Sequence, residues 1–264
     1  MYKSFLIDLD GTLYRGEELI QDAPSFLAWL RDEGFSFAIL TNNSTRTPQQ
    51  VAEKLLRMGF NVTAEEIFTS SLATAEYLKM KHAGKRIYPI GEEGLIEALQ
   101  KAGYSLVDGE NPQDVEVVVS GLDREVTYEK LARGALAIRA GAAFVATNGD
   151  KALPTERGFL PGAGSLAGLL SITTGVDPIV VGKPSKIIVE MALHQFGFKR
   201  QESLLIGDNL HTDILAGKNG GLDTLLLFTG VTTREEAETS TIKPTYSFTS
   251  LTEVRQWLIG REID

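Results

Sequence analysis

Two aspartates lie two positions apart in the segment 8–12, of sequence DLDGT, directly after the apolar run 5–7. Side chains alternate faces along a strand, so Asp8 and Asp10 project to the same side at the end of a predicted buried strand. Gly11 then allows the backbone to turn sharply. Two carboxylates this close repel each other, so the pair predicts a site that binds a cation or transfers protons. An ordinary acidic turn after a strand is the alternative.

Polar residues also follow three further short apolar runs, in the order Thr41 and Asn42, then Lys183, then Asp208 with Asp213. In open α/β sheets, ligands bind outside the carboxyl ends of the strands. If the apolar runs are parallel strands of one sheet, all of these polar residues meet at the edge that holds Asp8 and Asp10.

The apolar runs alternate with segments of helical spacing, which is typical of an α/β fold with a doubly wound parallel sheet. The predicted strands of this sheet are 5–7, 35–40, 179–181, 204–206 and 224–227. The predicted helices between them are 24–33, 48–58, 185–196 and 212–219. The second helix has a clear start, because Thr47 can cap it and Pro48 suits its first position.

The middle of the chain predicts a second α/β layer with strands of its own. The predicted strands are 86–90, 115–119 and 143–145, and the predicted helices are 92–102, 128–139 and 165–171. Gly84 lies on one side of this region, and Gly175 and Pro178 lie on the other, where they suit crossings between domains. We therefore expect an inserted domain at 81–180, with 1–80 and 181–264 forming the other domain.

The composition limits the partners of the protein. The 264 residues include 35 acidic and 26 basic side chains, a net charge of −9, which disfavours binding to nucleic acid or to an anionic membrane. No cysteine is present, so thiolate metal sites and disulfides are excluded. We expect a cytoplasmic protein, because the N-terminus lacks signal-peptide features and no apolar run approaches membrane-spanning length. The oligomeric state is not predicted.

The segment 8–12, Thr41, Lys183 and the segment 207–213 resemble, in this order, the four motifs of the haloacid dehalogenase-like superfamily. Within it, the segments 41–43, 121–123, 147–150 and 207–213 are similar to NagD-like phosphatases. The resemblance implies a HAD-like Rossmannoid core. Thr41 and Lys183 are about 140 residues apart, which accommodates the α/β cap that the family calls class II.

The resemblance implies a Mg²⁺-dependent phosphatase that acts on a small phosphorylated metabolite. Asp8 would attack phosphorus and form an aspartyl-phosphate, and Asp10 would serve as general acid and then as general base. Asp8, Asp208 and the backbone carbonyl of Asp10 would bind Mg²⁺. Asp213 would hold a metal-bound water or orient Lys183.

The resemblance also implies groups that bind the phosphoryl oxygens. These are the Thr41 hydroxyl, the backbone amide of Asn42 and the Lys183 ammonium. Asn148 and Asp150 in the middle region are candidates for contacting the substrate from the cap, although an ordinary polar turn explains them equally well.

The sequence leaves several functions open. A haloacid dehalogenase would use the same nucleophile, but a halide leaves without the proton that Asp10 could supply. A phosphoacceptor module would hold its phosphoaspartate, which an adjacent base disfavours. A noncatalytic nucleotide-binding protein is a further alternative. The sequence does not distinguish sugar phosphates, nucleoside monophosphates and other small phosphomonoesters as substrates.

Overall fold

The computed structural model describes residues 2–261. The strands in this range are β1 (Ser4–Ile7), β2 (Tyr14–Arg15), β3 (Glu18–Leu19), β4 (Ser36–Thr41), β5 (Ile67–Thr69), β6 (Arg86–Ile90), β7 (Ser105–Leu106), β8 (Val117–Ser120), β9 (Ala143–Ala146), β10 (Ala152–Thr155), β11 (Gly158–Pro161), β12 (Ile179–Val180), β13 (Ser203–Gly207), β14 (Asp223–Leu227) and β15 (Tyr246–Phe248). The α-helices are α1 (Ala23–Asp32), α2 (Pro48–Arg57), α3 (Ser70–Lys81), α4 (Glu93–Lys101), α5 (Tyr128–Arg139), α6 (Ala163–Thr174), α7 (Lys186–Phe196), α8 (Leu215–Asn219), α9 (Arg234–Thr239) and α10 (Leu251–Arg261). Among the described residues, no helix has both the length and the apolarity needed to cross a bilayer.

One compact unit runs to Thr41, continues over Gln49–Phe68 and resumes at Lys183. Its six-stranded sheet has the order β15-β14-β13-β1-β4-β5. The inner strand β1 pairs in parallel with β13 and with β4. Every residue of β1 is buried, as expected for a strand whose two faces are both covered. Phe5 and Ile7 belong to an apolar core of this unit.

The other compact unit consists of Asn42–Pro48 and Thr69–Gly182. Its five-stranded sheet is parallel throughout, in the order β12-β9-β8-β6-β7, and β10 and β11 form a separate antiparallel pair. The apolar cluster of this unit includes Ile90, Val118 and Leu170. The middle of the chain thus forms a second α/β layer with its own core, as the sequence predicts.

The short strand β12 corrects one prediction. The sequence predicts that the run 179–181 joins the sheet that contains β1, but Ile179 and Val180 pair in parallel with Val145 and Ala146 of β9. A strand of two residues makes few ladder hydrogen bonds, so its sequence cannot specify which of two sheets it joins.

The second unit extends beyond the predicted insertion at 81–180. Its long segment begins at Thr69, because α3 packs against α4 and lies with the second unit. It also includes Asn42–Pro48, whose backbone carbonyls accept hydrogen bonds from two hydroxyls of α3: Ser70 donates to Asn42 at 2.7 Å and Ser71 donates to Ser44 at 2.9 Å. The predicted range 81–180 lies wholly inside this unit, and its division from the rest as a separate domain stays a prediction.

Candidate active site

Asp8 directly follows β1, where it is 7% exposed. Its backbone N–H donates to the carbonyl of Ile206 at 2.8 Å, so the pairing with β13 continues to this residue. The Thr12 hydroxyl donates to Asp8 Oδ2 at 3.2 Å. Gly11 turns the chain with a φ of +92°, and a side chain at this position would overlap the carboxylate of Asp208. The turn therefore needs glycine both for its backbone conformation and for space.

Three buried aspartates converge at this edge of the sheet. Carboxylate oxygens of Asp8, Asp208 and Asp213 all lie within 4.8 Å of one another. Asp208 follows β13, which lies beside β1 in parallel, so the two strands deliver their carboxylates side by side. The π-helical turn Leu210–Ile214 brings Asp213 back to the same point. Gly207 leaves room for it, because a Cβ there would overlap the Asp213 side chain.

Lys183 supplies the positive charge next to these carboxylates and is 3% exposed. Its ammonium donates to Asp8 Oδ1, to Asp213 Oδ1 at 2.7 Å and to the carbonyl of Leu40 at 3.0 Å. The other oxygen of Asp213 accepts the backbone N–H of Asn209 at 3.1 Å. Both carboxylate oxygens of Asp213 thus accept a hydrogen bond, and one of these bonds orients the Lys183 ammonium.

The charges of the cluster do not balance, since three carboxylates face one ammonium. Burial, together with the charge of Asp213, raises the pKa of Asp8 well above its ordinary value. The same two causes raise the pKa of Asp208 to about 6. Burial opposes the charged form of Lys183, but the charges of Asp213 and Asp8 outweigh it and raise its pKa. The cluster therefore has an excess of negative charge. Its acidic groups offer oxygen atoms as metal ligands, so the residues present fit a hard divalent cation such as Mg²⁺.

The loop 229–232 contacts the carboxylate of Asp208. The sequence does not predict this contact. The Val231 backbone N–H donates to Asp208 Oδ2 at 2.5 Å. A Cβ at Gly230 would overlap the same carboxylate, so the backbone approaches as closely as it can. The only signal in the sequence is a glycine shortly after a predicted strand, which by itself indicates a turn.

Asp10 differs from the three clustered aspartates, because it is exposed whereas they are buried. Leu9 between Asp8 and Asp10 is 2% exposed and points into packing, as the alternation predicts. The backbone of Asp10 forms an isolated bridge with Tyr14. Metal binding by the Asp10 carbonyl stays a prediction.

Thr41 and Asn42 are neighbours in sequence but belong to different units. Thr41 is the last residue of β4 and is 3% exposed. The Asn42 side-chain amide donates to the Asp150 carboxylate at 3.1 and 3.2 Å, and the Asn42 carbonyl accepts the side-chain amide of Asn148 at 2.8 Å. The structure therefore brings Asn42, Asn148 and Asp150 together within the second unit. Their contacts with a phosphate or a substrate stay predictions.

Two family models match the chain. One, described as haloacid dehalogenase-like hydrolase, matches residues 5–105. The other, described as HAD-hydrolase-like, matches residues 180–254. The first contains Asp8, Asp10 and Thr41, and the second contains Lys183 and Asp208.

The chain is also similar, over nearly its whole length, to proteins that are named as phosphatases or nucleotidases. The 5′-nucleotidase YutF of Bacillus subtilis is 50% identical over 252 residues, which cover 96% of this chain and 97% of that protein. The acid sugar phosphatase of Staphylococcus saprophyticus is 45% identical over 253 residues, which cover 96% of each protein. A solved structure of a mutant thermostable p-nitrophenylphosphatase from Bacillus stearothermophilus is 51% identical and matches with a TM-score of 0.87, covering 96% of this chain and 97% of that one.

Proposed function

The chain belongs to the haloacid dehalogenase-like hydrolases and is a phosphomonoester hydrolase, and we propose that it works through an aspartyl-phosphate on Asp8 with the help of Mg²⁺. The observation that carries this proposal is the buried cluster of Asp8, Asp208 and Asp213 around the Lys183 ammonium. It combines a carboxylate nucleophile, an oxygen donor set for a cation and a fixed positive charge.

In the first half-reaction, a carboxylate oxygen of Asp8 attacks phosphorus, and the bond from phosphorus to the leaving oxygen breaks. The Thr12 hydroxyl and the Lys183 ammonium both donate to Asp8, which fixes the orientation of its carboxylate. Asp10 gives its proton to the leaving oxygen, so the product departs as an alcohol.

In the second half-reaction, Asp10 takes a proton from a water as the water attacks phosphorus. The bond from phosphorus to Asp8 then breaks, which regenerates the carboxylate and releases inorganic phosphate. Asp10 is exposed, which is consistent with a group that must exchange protons with substrate and water.

Mg²⁺ would be held by Asp8, Asp208 and the backbone carbonyl of Asp10, with Asp213 close by. When bound, it neutralises negative charge on the phosphoryl group so that an anionic nucleophile can approach. The Val231 N–H holds Asp208 in place for this task. Asp213 has both of its oxygens engaged, by Lys183 and by the Asn209 N–H, which supports an orienting role toward Lys183.

We propose that the substrate is a small phosphomonoester and that the second unit acts as the cap that selects it. All residues of this unit lie between Thr41 and Lys183 in the sequence, which supports the cap role. The relatives are named as a 5′-nucleotidase, an acid sugar phosphatase and a p-nitrophenylphosphatase, so their names support nucleoside monophosphates, sugar phosphates and aryl phosphates alike.

Initial rates over a panel of phosphomonoesters in the presence of Mg²⁺ test this proposal. The panel should contain p-nitrophenyl phosphate, several sugar phosphates and the common nucleoside monophosphates, and Asp8→Asn serves as the blank for contaminating phosphatase. We expect release of inorganic phosphate by the wild-type protein and none above background by the variant. Equal release by both would contradict the covalent role of Asp8, and halide release from a haloacid without phosphatase activity would favour the dehalogenase.

A further inference from the structure

Strands β2 and β3 pair antiparallel and form a hairpin, residues 14–19, shortly after Asp10. Lys54 on α2 contacts this hairpin. Its ammonium donates to the carbonyl of Gly16 at 3.0 Å and lies 4.1 Å from the centre of the Tyr14 ring. It also lies 3.4 Å from Glu17 Oε1. The Lys54 side chain is only 14% exposed, so it packs against the hairpin and is not a solvated surface lysine. We call Lys54, Tyr14 and Gly16 the hairpin clamp.

The contacts of the hairpin clamp differ in strength. Glu17 is 88% exposed, and ion pairs with so exposed a partner contribute little. The contact with the Tyr14 ring is different, because Tyr14 is 4% exposed and the ammonium lies over its face at cation–π distance. The carbonyl of Gly16 adds a charge-assisted hydrogen bond at the tip of the hairpin.

Tyr14 connects the hairpin clamp to the backbone of Asp10. Asp10 and Tyr14 form a backbone bridge, and the Gly11 N–H donates to the Tyr14 carbonyl at 2.7 Å. The Tyr14 and Leu13 N–H groups both point to the carbonyl of Leu9, at 3.5 and 2.9 Å. The position of Tyr14 therefore determines where the chain carries the exposed side chain of Asp10.

We propose that Lys54 is a positioning residue for Asp10: by fixing Tyr14 and Gly16 it holds the general acid where it can protonate the leaving group. This inference rests on the proposed function, because it needs Asp10 to be that acid. A general acid must lie within hydrogen-bond reach of the atom that it protonates, so a small displacement weakens it. Lys54 touches the hairpin and not the buried carboxylates, so the nucleophile should be unaffected by its loss.

The leaving group provides the readout. An alkyl phosphate expels a basic alkoxide and needs the proton, whereas p-nitrophenyl phosphate expels a stable phenolate and hardly needs it. The value of kcat/KM covers the steps up to the first phosphoryl transfer and so reports this difference. A variant that only loosens the fold lowers kcat/KM for both substrates alike.

The experiment compares Lys54→Met with Lys54→Arg, which keeps a cation over the ring, and with Glu17→Gln, which removes only the exposed ion pair. Lys199→Met is the matched control, because Lys199 is an exposed lysine with an ion pair of 3.7 Å to Glu202. For Lys54→Met we expect kcat/KM to fall about tenfold with an alkyl phosphate, and less than about threefold with p-nitrophenyl phosphate, because a general acid contributes a larger factor in total. The other three variants should stay within about threefold on both substrates.

A double-mutant cycle with Asp10→Asn completes the test. If Lys54 acts through Asp10, Lys54→Met should add almost nothing for the alkyl phosphate once Asp10 is already replaced. Equal losses on both substrates, or additive losses in the cycle, would overturn the positioning role while leaving the proposed function intact. If Asp10→Asn itself shows no dependence on the leaving group, the acid role of Asp10 fails and the inference falls with it.

Discussion

Lys183 Nζ lies 2.7 Å from Asp213 Oδ1, and the two side chains are 3% and 1% exposed. The same ammonium contacts Asp8, so one buried cation serves two buried carboxylates. A buried ion pair adds little stability over an apolar pair of the same shape, but removal of one partner leaves a charge with no compensation. Lys183 therefore matters for the stability of the folded protein, apart from the phosphate-binding role proposed for it.

Lys183→Met should lower the free energy of unfolding at neutral pH by about 3–5 kcal/mol in the absence of metal, because it leaves Asp8 and Asp213 buried with no cation. Urea denaturation measures the change. Lys186→Met is the control, since Lys186 pairs with Glu190 at 3.6 Å but is 61% exposed, and it should change the stability by less than about 1 kcal/mol. Addition of Asp213→Asn to Lys183→Met should recover part of the loss, and a Lys183 effect no larger than that of the control would contradict this account.

Asp8→Asn should lower kcat by a factor on the order of 10⁴ or more, since loss of a nucleophile leaves only the residual catalysis of the surrounding groups. The amide is close in size to the carboxylate, so we expect the circular dichroism spectrum of the wild-type protein. Asp32→Asn, at an exposed aspartate, is the matched control and should retain full activity. Rates like those of the wild type in Asp8→Asn would exclude the aspartyl-phosphate.

Removal of divalent metal should abolish turnover, and return of Mg²⁺ should restore it. A second readout is independent of activity: Mg²⁺ that binds only the folded protein must raise its melting temperature in proportion to the logarithm of its concentration above Kd. We expect this rise in the wild type and not in Asp208→Asn, whose amide is a weaker ligand. Full activity in excess EDTA, or the same rise in both proteins, would refute the metal site.

The contribution of Asp208 to the stability of the metal-free protein should fall as the pH rises from about 4 to about 6. The pKa of Asp208 is raised from 3.8 to about 6 by burial and by the charge of Asp213. The folded protein thus holds this proton more tightly than the unfolded chain, and its contribution to stability is present below the unfolded pKa and lost above the folded pKa. The contribution is at most about 3 kcal/mol, from the size of the shift.

Urea denaturation in EDTA across this pH range measures the effect, with Asp208→Asn as the comparison. The variant lacks the titrating group, so its stability should fall less steeply than that of the wild type over the same interval. Parallel pH profiles of the two proteins would show that Asp208 does not titrate in this range.

The strands that carry Asp8, Thr41 and Asp208 were predictable from the sequence. Each is a short apolar run that ends in polar residues, and a parallel sheet covered on both faces produces this pattern. β1, β4 and β13 are adjacent in the sheet, which is why the predicted residues at their ends lie at one edge. The family resemblance, confirmed by the matches, added the phosphatase activity, which the pattern alone does not specify.

Other features depend on contacts between distant segments. The two residues of β12 join the second sheet, and Asn42 packs with Asn148 and Asp150, because pairing partners far apart in the chain decide these placements. The loop 229–232 reaches Asp208 through a backbone N–H, which every residue except proline possesses and no sequence pattern marks.

The sequence by itself determined which side chains could do the chemistry and that most of them follow a buried strand. It could do so because alternation and burial are local properties of a strand. Only the tertiary structure decided that Lys183 reaches Asp8 and Asp213 from a position shortly after a strand of the other sheet, and that Lys54 contacts the hairpin after Asp10. The reach of a long side chain across the fold depends on where whole elements pack. That placement results from the sum of many weak contacts, and no single segment encodes it.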